Sequence, residues 1–408
     1  MPKIKPFRAL RPTVELASHV ASVPYDTVNR EEAALLAEKN SDSFLHVIRP
    51  DIDLPADTDP YSDAVYDKAN ENLERLRSRG VLEQENDEVL YVYRQVMNGK
   101  PQYGLVACCH VDDYENDLIL KHEFTRPAKE DDRTRHVVTL SANTGPVFLT
   151  YRGSAAIDQL VTAAVADEPL FDFVAEDGVG HTVWRVEKTD AFVDAFDAVE
   201  KFYIADGHHR AASAYRSRQQ FREQNPNHDG SENYNWFLTV LFPAEQLNIL
   251  AYNRVVADLN ELSTDQLLTK LGEIGTLTET SEKVPGSVGE VSVYVAGKWY
   301  SLRFPGELLQ QSDPVARLDV ALLESQVLNP ILGITDVRTD ARIDFVGGIR
   351  GTDELERRVD QAGGAAFSMF PTSIEQLMDT ADSSDVMPPK STWFEPKLRS
   401  GLFVHLLK

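Results

Sequence analysis

Cysteine is nearly absent: the 408 residues contain two, Cys108 and Cys109, side by side. Neighbours on a strand point to opposite faces, and a bridge between them would be strained. A disulfide framework and a two-cysteine redox motif are therefore both excluded. The pair reads as buried small hydrophobes, which fits a reducing compartment. Long apolar runs are missing too; none approaches the roughly 20 residues that a membrane span needs. The start, MPKIKPFRALRP, has no apolar signal-peptide core. The expectation is a cytoplasmic protein with no membrane partner. Positive charge is in deficit, 41 Lys and Arg against 65 Asp and Glu, for a net charge of −24. Such a field repels polyanions, which argues against nucleic acid as a partner. The same excess would suit a salt-adapted host or simple solubility.

Familiar nucleotide and hydrolase signatures are lacking as well. There is no Gly-x-x-x-x-Gly-Lys-Ser/Thr loop, no Gly-x-Gly-x-x-Gly after a strand and no Gly-x-Ser-x-Gly elbow. "FVGGIRGTDELE" places glycines before a helix, but at a spacing that fits none of these.

What is present is enough apolar material, 42 % of residues, for a sizeable interior. The length favours two domains over one. The patterning predicts a helix at 61–80 and a hairpin turning at Asn98-Gly99. Asn29 is a ready cap for a helix that follows it. Phe44 to Ile48 reads as a strand, "WFLTVLFP" as another, and 258–310 as a small insertion with a hairpin at Ala296-Gly297. The last hundred residues alternate strand and helix, "IDFVGG", "TDELERRVDQ", "AAFSMF", "TSIEQLMDTA". The last of these opens with a capping box of Thr372 and Glu375. This alternation predicts a partly parallel sheet. The fold class expected is α/β with a mixed sheet and α+β elements. Its domains would be 1–250 and 251–408, the second returning a basic strap, 388–398.

The most informative stretch is "YIADGHHRAASAYRSR", residues 203–218. β-formers Tyr203 and Ile204 lead in and helix formers lead out, so Asp206, Gly207, His208, His209 and Arg210 occupy a strand–turn–helix elbow. The first N–H groups of a helix lack intrahelical partners, and the dipole there favours an anion. With Arg210 and two histidines added, phosphate is the guest that fits. The bland alternative is that Asp206 caps the helix and Arg210 pairs with a carboxylate. A zinc site is disfavoured: adjacent helical side chains diverge by about 100°, and only His110, His122 and Glu123 could supplement the pair.

Three further constellations carry chemistry. "HEFTRPAKEDDR" gathers Glu123, Lys129 and Arg133, the mixture of signs that phosphoryl transfer needs, or else a solvated, salt-bridged loop. "PPKSTWFEPK" sets Lys390 and Lys397 around Trp393 and Phe394. The lysines would close on a nucleotide with an aromatic on its base, or the segment straps the core. "VPYDTV" is followed by Glu31 and Glu32 in a first helical turn, where acidic residues also belong for dipole reasons. Arg8 and Arg49 are weaker candidate cations.

Six blocks, "PFRALRP", "VPYDTV", "SFLHVIRPDIDL", "KHEFTRPAKEDDR", "YIADGHHRAASA" and "MPPKSTWFEPKLRSGLF", resemble the hallmarks of the domain-of-unknown-function 1015 family, in order and from residue 6 to about 403. The Asp-Gly-His-His-Arg turn is similar to the phosphate turn of the ParB/sulfiredoxin-like superfamily, which includes free-serine kinases. In compact members of that superfamily the first polar box lies close to the turn; here "VPYDTV" and "DGHHR" are far apart. Sulfiredoxin chemistry needs a cysteine in the turn, where this chain has His208. The resemblance implies a ParB/sulfiredoxin-like core with insertions and a nucleotide-dependent kinase acting on the hydroxyl of free L-serine or a similar compound. ATP or ADP would be the donor, with Mg²⁺ on Asp206. Gly207, His208, Arg210, Lys129, Arg133, Lys390 and Lys397 would hold phosphates or nucleotide. His208 or His209 would touch the transferred group, and Glu123 or one of Glu31 and Glu32 would be the base. The rival readings are a nucleotide-binding regulator and a phosphohydrolase or nuclease using the same elbow.

Overall fold

The computed structural model describes all residues, Met1–Lys408. The chain divides into two compact units. The first comprises Met1–Lys121, Thr125–Leu247 and Pro396–Lys408; the second comprises His122–Phe124 and Asn248–Glu395. Together the elements make a mixed α/β protein, and no helix is long and apolar enough to cross a membrane.

The first unit is built on a nine-stranded mixed sheet. Its middle is the hairpin Leu90–Met97 and Lys100–His110, joined where Asn98 and Gly99 both take positive φ, 51° and 75°. Those are the angles that let a two-residue turn match the twist of its strands. Trp236–Pro243 pairs antiparallel with Lys100–His110 and parallel with Val147–Tyr151. The latter pairs in turn with Phe202–Asp206. Cys108 and Cys109 lie in this sheet, fully buried, and burial pushes both thiols up. Phe192, Phe196, Phe202 and Ile157 belong to the core on the sheet. A separate core gathers Phe44, Leu73, Leu76 and Ala33 from the N-terminal helices. The helix Arg30–Ala37 starts at Asn29 with a complete capping box, Asn29 and Glu32.

One expectation fails in this unit, and one open alternative is ruled out. The segment read as a strand is the short helix Leu45–Ile48. Phe44, Leu45, Val47 and Ile48 are all buried, and a run buried all round carries no period to tell strand from helix. The charged stretch after residue 126 is the helix Pro127–Leu140, not a loop. Pro127 occupies the first helical turn, where its missing N–H costs nothing. Asp132, Thr134, His136, Val137 and Leu140 are its buried residues, so a charge-rich sequence conceals a core face.

The second unit holds a six-stranded sheet whose pairs are all antiparallel. The predicted parallel pairing is therefore absent, for a specific reason. The strand Ile343–Gly347, the helix Gly351–Ala362 and the strand Ala365–Met369 do form a crossover, but Tyr252–Val256 lies between the two strands and runs against both. The stretch 258–310 is no insertion, since Glu290–Val295 pairs directly with Ala365–Met369. The capping box sits one residue later than predicted, on Ser373 and Gln376, while Thr372 donates to the Ser391 carbonyl.

Candidate active site

The elbow forms as its composition requires. The strand Phe202–Asp206 ends at the carboxylate, Gly207 turns with φ 99°, and the helix His208–Gln224 begins at once. Asp206 does not cap it. The cap position is Gly207, no side chain caps the helix, and its first turn contains no acidic residue.

Arg210 folds back on the turn. Its Nη2 donates to Asp206 Oδ2 at 2.7 Å, its Nη1 donates to the Pro146 carbonyl, and its buried Nε has no partner. Lys397 Nζ lies 3.4 Å from Asp206 Oδ1. One carboxylate thus faces two cations. Burial would raise the Asp206 carboxyl, but Lys397, then Arg210 and His208, outweigh it and hold it well below the usual range. With both oxygens on cations, Asp206 does not fit as a resident Mg²⁺ ligand. A metal there would have to displace an ion-pair partner.

Lys397 is fixed by its backbone. Its carbonyl accepts from Gln95 Nε2 at 2.9 Å, and Gln95 in turn accepts from Gln102. Two residues on, Arg399 donates to buried His181 Nε2 at 3.2 Å and pairs with Asp177.

Behind Arg210 lies a small cleft, partly open to solvent. Arg133, Arg210, Tyr25, Thr144, Gly145 and Ser400 are among its lining residues. Arg133 reaches it from the helix Pro127–Leu140, donating to Asp132 at 2.9 Å and lying over the Tyr25 ring at 4.2 Å. Burial would lower the Arg133 guanidinium, but Asp132 and Tyr25 more than offset this, so it stays charged. Tyr25 is raised by burial and then by Asp26, with Arg133 and Arg210 pulling the other way. Arg49 donates to the Tyr25 and Val28 carbonyls and pairs with Asp51, so it shapes this turn without lining the cavity. His136, also in the lining, is lowered to about 4 by burial and then by Arg133, hence neutral at pH 7.

Other candidates lie elsewhere. His209 Nε2 accepts from the Arg126 backbone N–H at 3.0 Å, so its proton sits on Nδ1. Lys129 is exposed beside Tyr61 and is not in the cavity lining. Glu31 is exposed in the first turn of its helix, whereas Glu32 is engaged in the cap. Arg8 donates to the Glu85 carbonyl, and His110 caps the short helix Val111–Glu115. Glu123 and Lys390 belong to the second unit. There Lys390 lies over the Tyr252 ring at 5.5 Å. Trp393 meets Tyr252 edge-on and Phe394 is fully buried, so both aromatics serve that unit's packing.

Sequence reasoning missed Tyr25, Thr144, Gly145 and Ser400. The first lies within "VPYDTV". The signal for the next two was the small polar run "SANTG" between a helix and a strand.

The family model described as "Protein of unknown function (DUF1015)" matches residues 4–321. Curated proteins give no match. Among solved structures, a free serine kinase in complex with AMP is 12 % identical with a TM-score of 0.37, covering 74 % of this chain and 91 % of that one. SbnI with a C-terminal truncation, from Staphylococcus aureus, is 12 % identical with a TM-score of 0.38, covering 74 % and 87 %. A conserved hypothetical protein from Pyrococcus furiosus is 14 % identical with a TM-score of 0.36, covering 74 % and 95 %.

Proposed function

This chain belongs to the DUF1015 family, and from that premise we propose that it is a nucleotide-dependent small-molecule kinase acting on the hydroxyl of free L-serine or a serine-like compound. The observation that carries the reading is the elbow at residues 206–210. A helix starts there with no cap and no acidic first turn, and the Arg210 guanidinium lies over the turn with an unpartnered Nε. Anions belong at such a helix start, and Arg is the side chain suited to phosphoryl oxygens.

In this reading ATP or ADP sets its phosphates on residues 207–210. Because Asp206 is held by two cations, Mg²⁺ would have to be supplied with the nucleotide, where it would neutralise phosphate charge. The acceptor oxygen attacks the terminal phosphorus, the bond to the bridging oxygen breaks, and ADP or AMP leaves. The hydroxyl proton passes to a carboxylate, Glu31 or Glu123. Lys397 and Arg210, both fixed on Asp206, answer the charge that develops on the phosphoryl oxygens. Phosphoryl transfer asks for little beyond positioning and charge stabilisation.

Nucleotide consumption with Mg²⁺, with and without L-serine, tests this. Serine-dependent turnover is expected, reduced by at least about 100-fold in Arg210→Ala. Replacing Glu31 and Glu123 singly by Gln then identifies the base. Phosphate release that ignores the acceptor would replace the kinase by a phosphohydrolase. Neither binding nor turnover would reduce the elbow to a turn.

A further inference from the structure

In the kinase reading Lys397 acts where its ammonium meets Asp206. A lysine stem is long and flexible, so the charge is placed by the backbone that carries it. That backbone belongs to residues 396–399, which form no helix or strand. No ladder of hydrogen bonds fixes them, and side chains of the first unit do so instead. Gln95, fully buried, donates to the Lys397 carbonyl. Ser400 exchanges both backbone hydrogen bonds with Ser22. Between these two points lies Arg399, only 5 % exposed.

A buried guanidinium is costly unless it is answered, and an apolar residue of similar volume often does as well or better. Arg399 is answered on two sides. Its Nη2 pairs with Asp177 Oδ2, and its Nε donates to His181 Nε2 at 3.2 Å. An arginine only donates, so Nε2 accepts and the His181 proton is on Nδ1, which donates to the Tyr93 hydroxyl at 2.6 Å. The His181 ring packs against the rings of Phe173 and Tyr93, with centroids 5.3 and 5.9 Å away. Burial, then Arg399, keeps this histidine neutral at pH 7. Asp177 is set by its own turn, where Oδ1 accepts from the Val179 N–H at 3.2 Å. Each partner has one fixed role, and together they specify one pose for Arg399.

We propose that Arg399 is a positioning residue for Lys397, and that the turn at Asp177, acting through Arg399 and His181, sets the pose in which the Lys397 ammonium meets Asp206. Arg399 and Asp177 act through the segment that carries Lys397, not by contact with substrate. Their effect on rate rests on the kinase reading above, whereas their effect on the Lys397–Asp206 pair does not.

Four variants of the full chain test this: Lys397→Ala, Arg399→Gln, the two combined, and Asp177→Asn. Serine-dependent turnover is measured for each. Crystal structures of Arg399→Gln and Asp177→Asn report the Lys397–Asp206 distance, 3.4 Å in the parent chain. Lys397→Ala sets the scale, with kcat expected to fall about 100-fold. Arg399→Gln should lower kcat about 10- to 100-fold with KM within about twofold, because Lys397 answers charge that develops in the transition state. Asp177→Asn should lower kcat about three- to tenfold. The combined variant should be no slower than Lys397→Ala alone, since Arg399 then has nothing left to position. A residue that merely stabilised the segment would add its loss to that of Lys397→Ala. In both crystal structures the ammonium should have left Asp206. Arg399 is buried, so the fold of Arg399→Gln is checked by circular dichroism. Asp177→Asn changes a half-exposed side chain by one atom, and it decides the matter if Arg399→Gln does not fold. Additive losses, an unchanged kcat in both Arg399→Gln and Asp177→Asn, or Lys397 still on Asp206 overturns the proposal. A parent chain without serine-dependent turnover ends the kinase reading, and the crystal structures then decide the positioning alone.

Discussion

Each unit contains a strand that runs through glycine into a helix, and the first turns of the two helices carry opposite charge. In the first unit Gly207 follows Asp206, and the helix starts with His208, His209 and Arg210 and no acidic residue. In the second, the strand Ile343–Gly347 passes through the turn Gly348–Arg350 into the helix Gly351–Ala362, whose first turn carries Asp353 and Glu354. Glu354 is bound by Arg357 and Arg358, each at 2.7 Å, and Arg357 and then Arg358 lower its carboxyl to about 2. Asp353 pairs with Lys283 at 3.2 Å. The positive end of that helix is already answered by its own carboxylates, which leaves no call for a ligand. The shape of a strand–glycine–helix junction therefore does not by itself call for an anion. The residues of the first helical turn decide whether the dipole is answered from within or from outside.

The largest contrast should appear on removing the arginine of each turn. Arg210→Ala is expected to cut nucleotide turnover at least about 100-fold, and Arg350→Ala to leave it within about twofold. Equal losses measured in the two variants would dissolve the distinction between the elbows.

Alanine at the glycines should separate binding from folding. A Cβ on Gly347 would lie 2.8 Å from the Trp393 ring, overpacking expected to destabilise the second unit by about 1–3 kcal/mol in chemical denaturation, with nucleotide affinity unchanged. On Gly207, at φ 99°, a Cβ would be strained and 2.9 Å from Arg210 Nε. Gly207→Ala should weaken nucleotide binding about tenfold by displacing the guanidinium. Normal nucleotide affinity in Gly207→Ala would show that Arg210 does not need its present pose.

A smaller effect sets the units apart by pH. His136 and His405 are lowered from 6.5 to about 4 and His181 to about 3, burial being the first cause in each, and all three lie in the first unit. As pH falls below 6.5 the unfolded chain takes up these protons first, so the first unit loses stability between pH 6.5 and about 4. In the second unit burial raises Asp319 from 3.8 to about 7, against a hydrogen bond from the Gly289 N–H. There the unfolded chain releases the proton first, so the contribution is present below pH 3.8 and is lost as pH rises to about 7. Calorimetry at pH 7 and pH 5 should show the first unit melting lower at pH 5 and the second higher. Asp319→Asn should remove the second shift. Transitions that move together would contradict the assignment of these groups.

Much of this was legible locally. Asn98-Gly99 specified its hairpin because few other pairs tolerate two positive φ values, and residues 203–218 announced an elbow because β-formers, glycine and helix formers follow one another there. The helix Pro127–Leu140 was not legible, because its buried face is made of Asp132, Thr134 and His136 as much as of Val137 and Leu140. Those polar groups find partners only in the folded chain, as when Tyr66 donates to Asp132 and His136 reaches the Val47 carbonyl.

By itself the sequence determined the family, the mixed α/β class and the five residues of the elbow, since each depends on residues that are neighbours in the chain. Tertiary structure alone decided that Asp206 is an anchor for two cations and not a cap, because Lys397 lies 191 positions away. It alone also decided that Arg133, Arg210, Tyr25 and Ser400 share one cavity, and that a strand–helix–strand unit is split by an antiparallel strand. Local propensity carries no information about which distant segment will fill a site or a gap in a sheet; packing and charge balance settle that only once the chain has closed on itself.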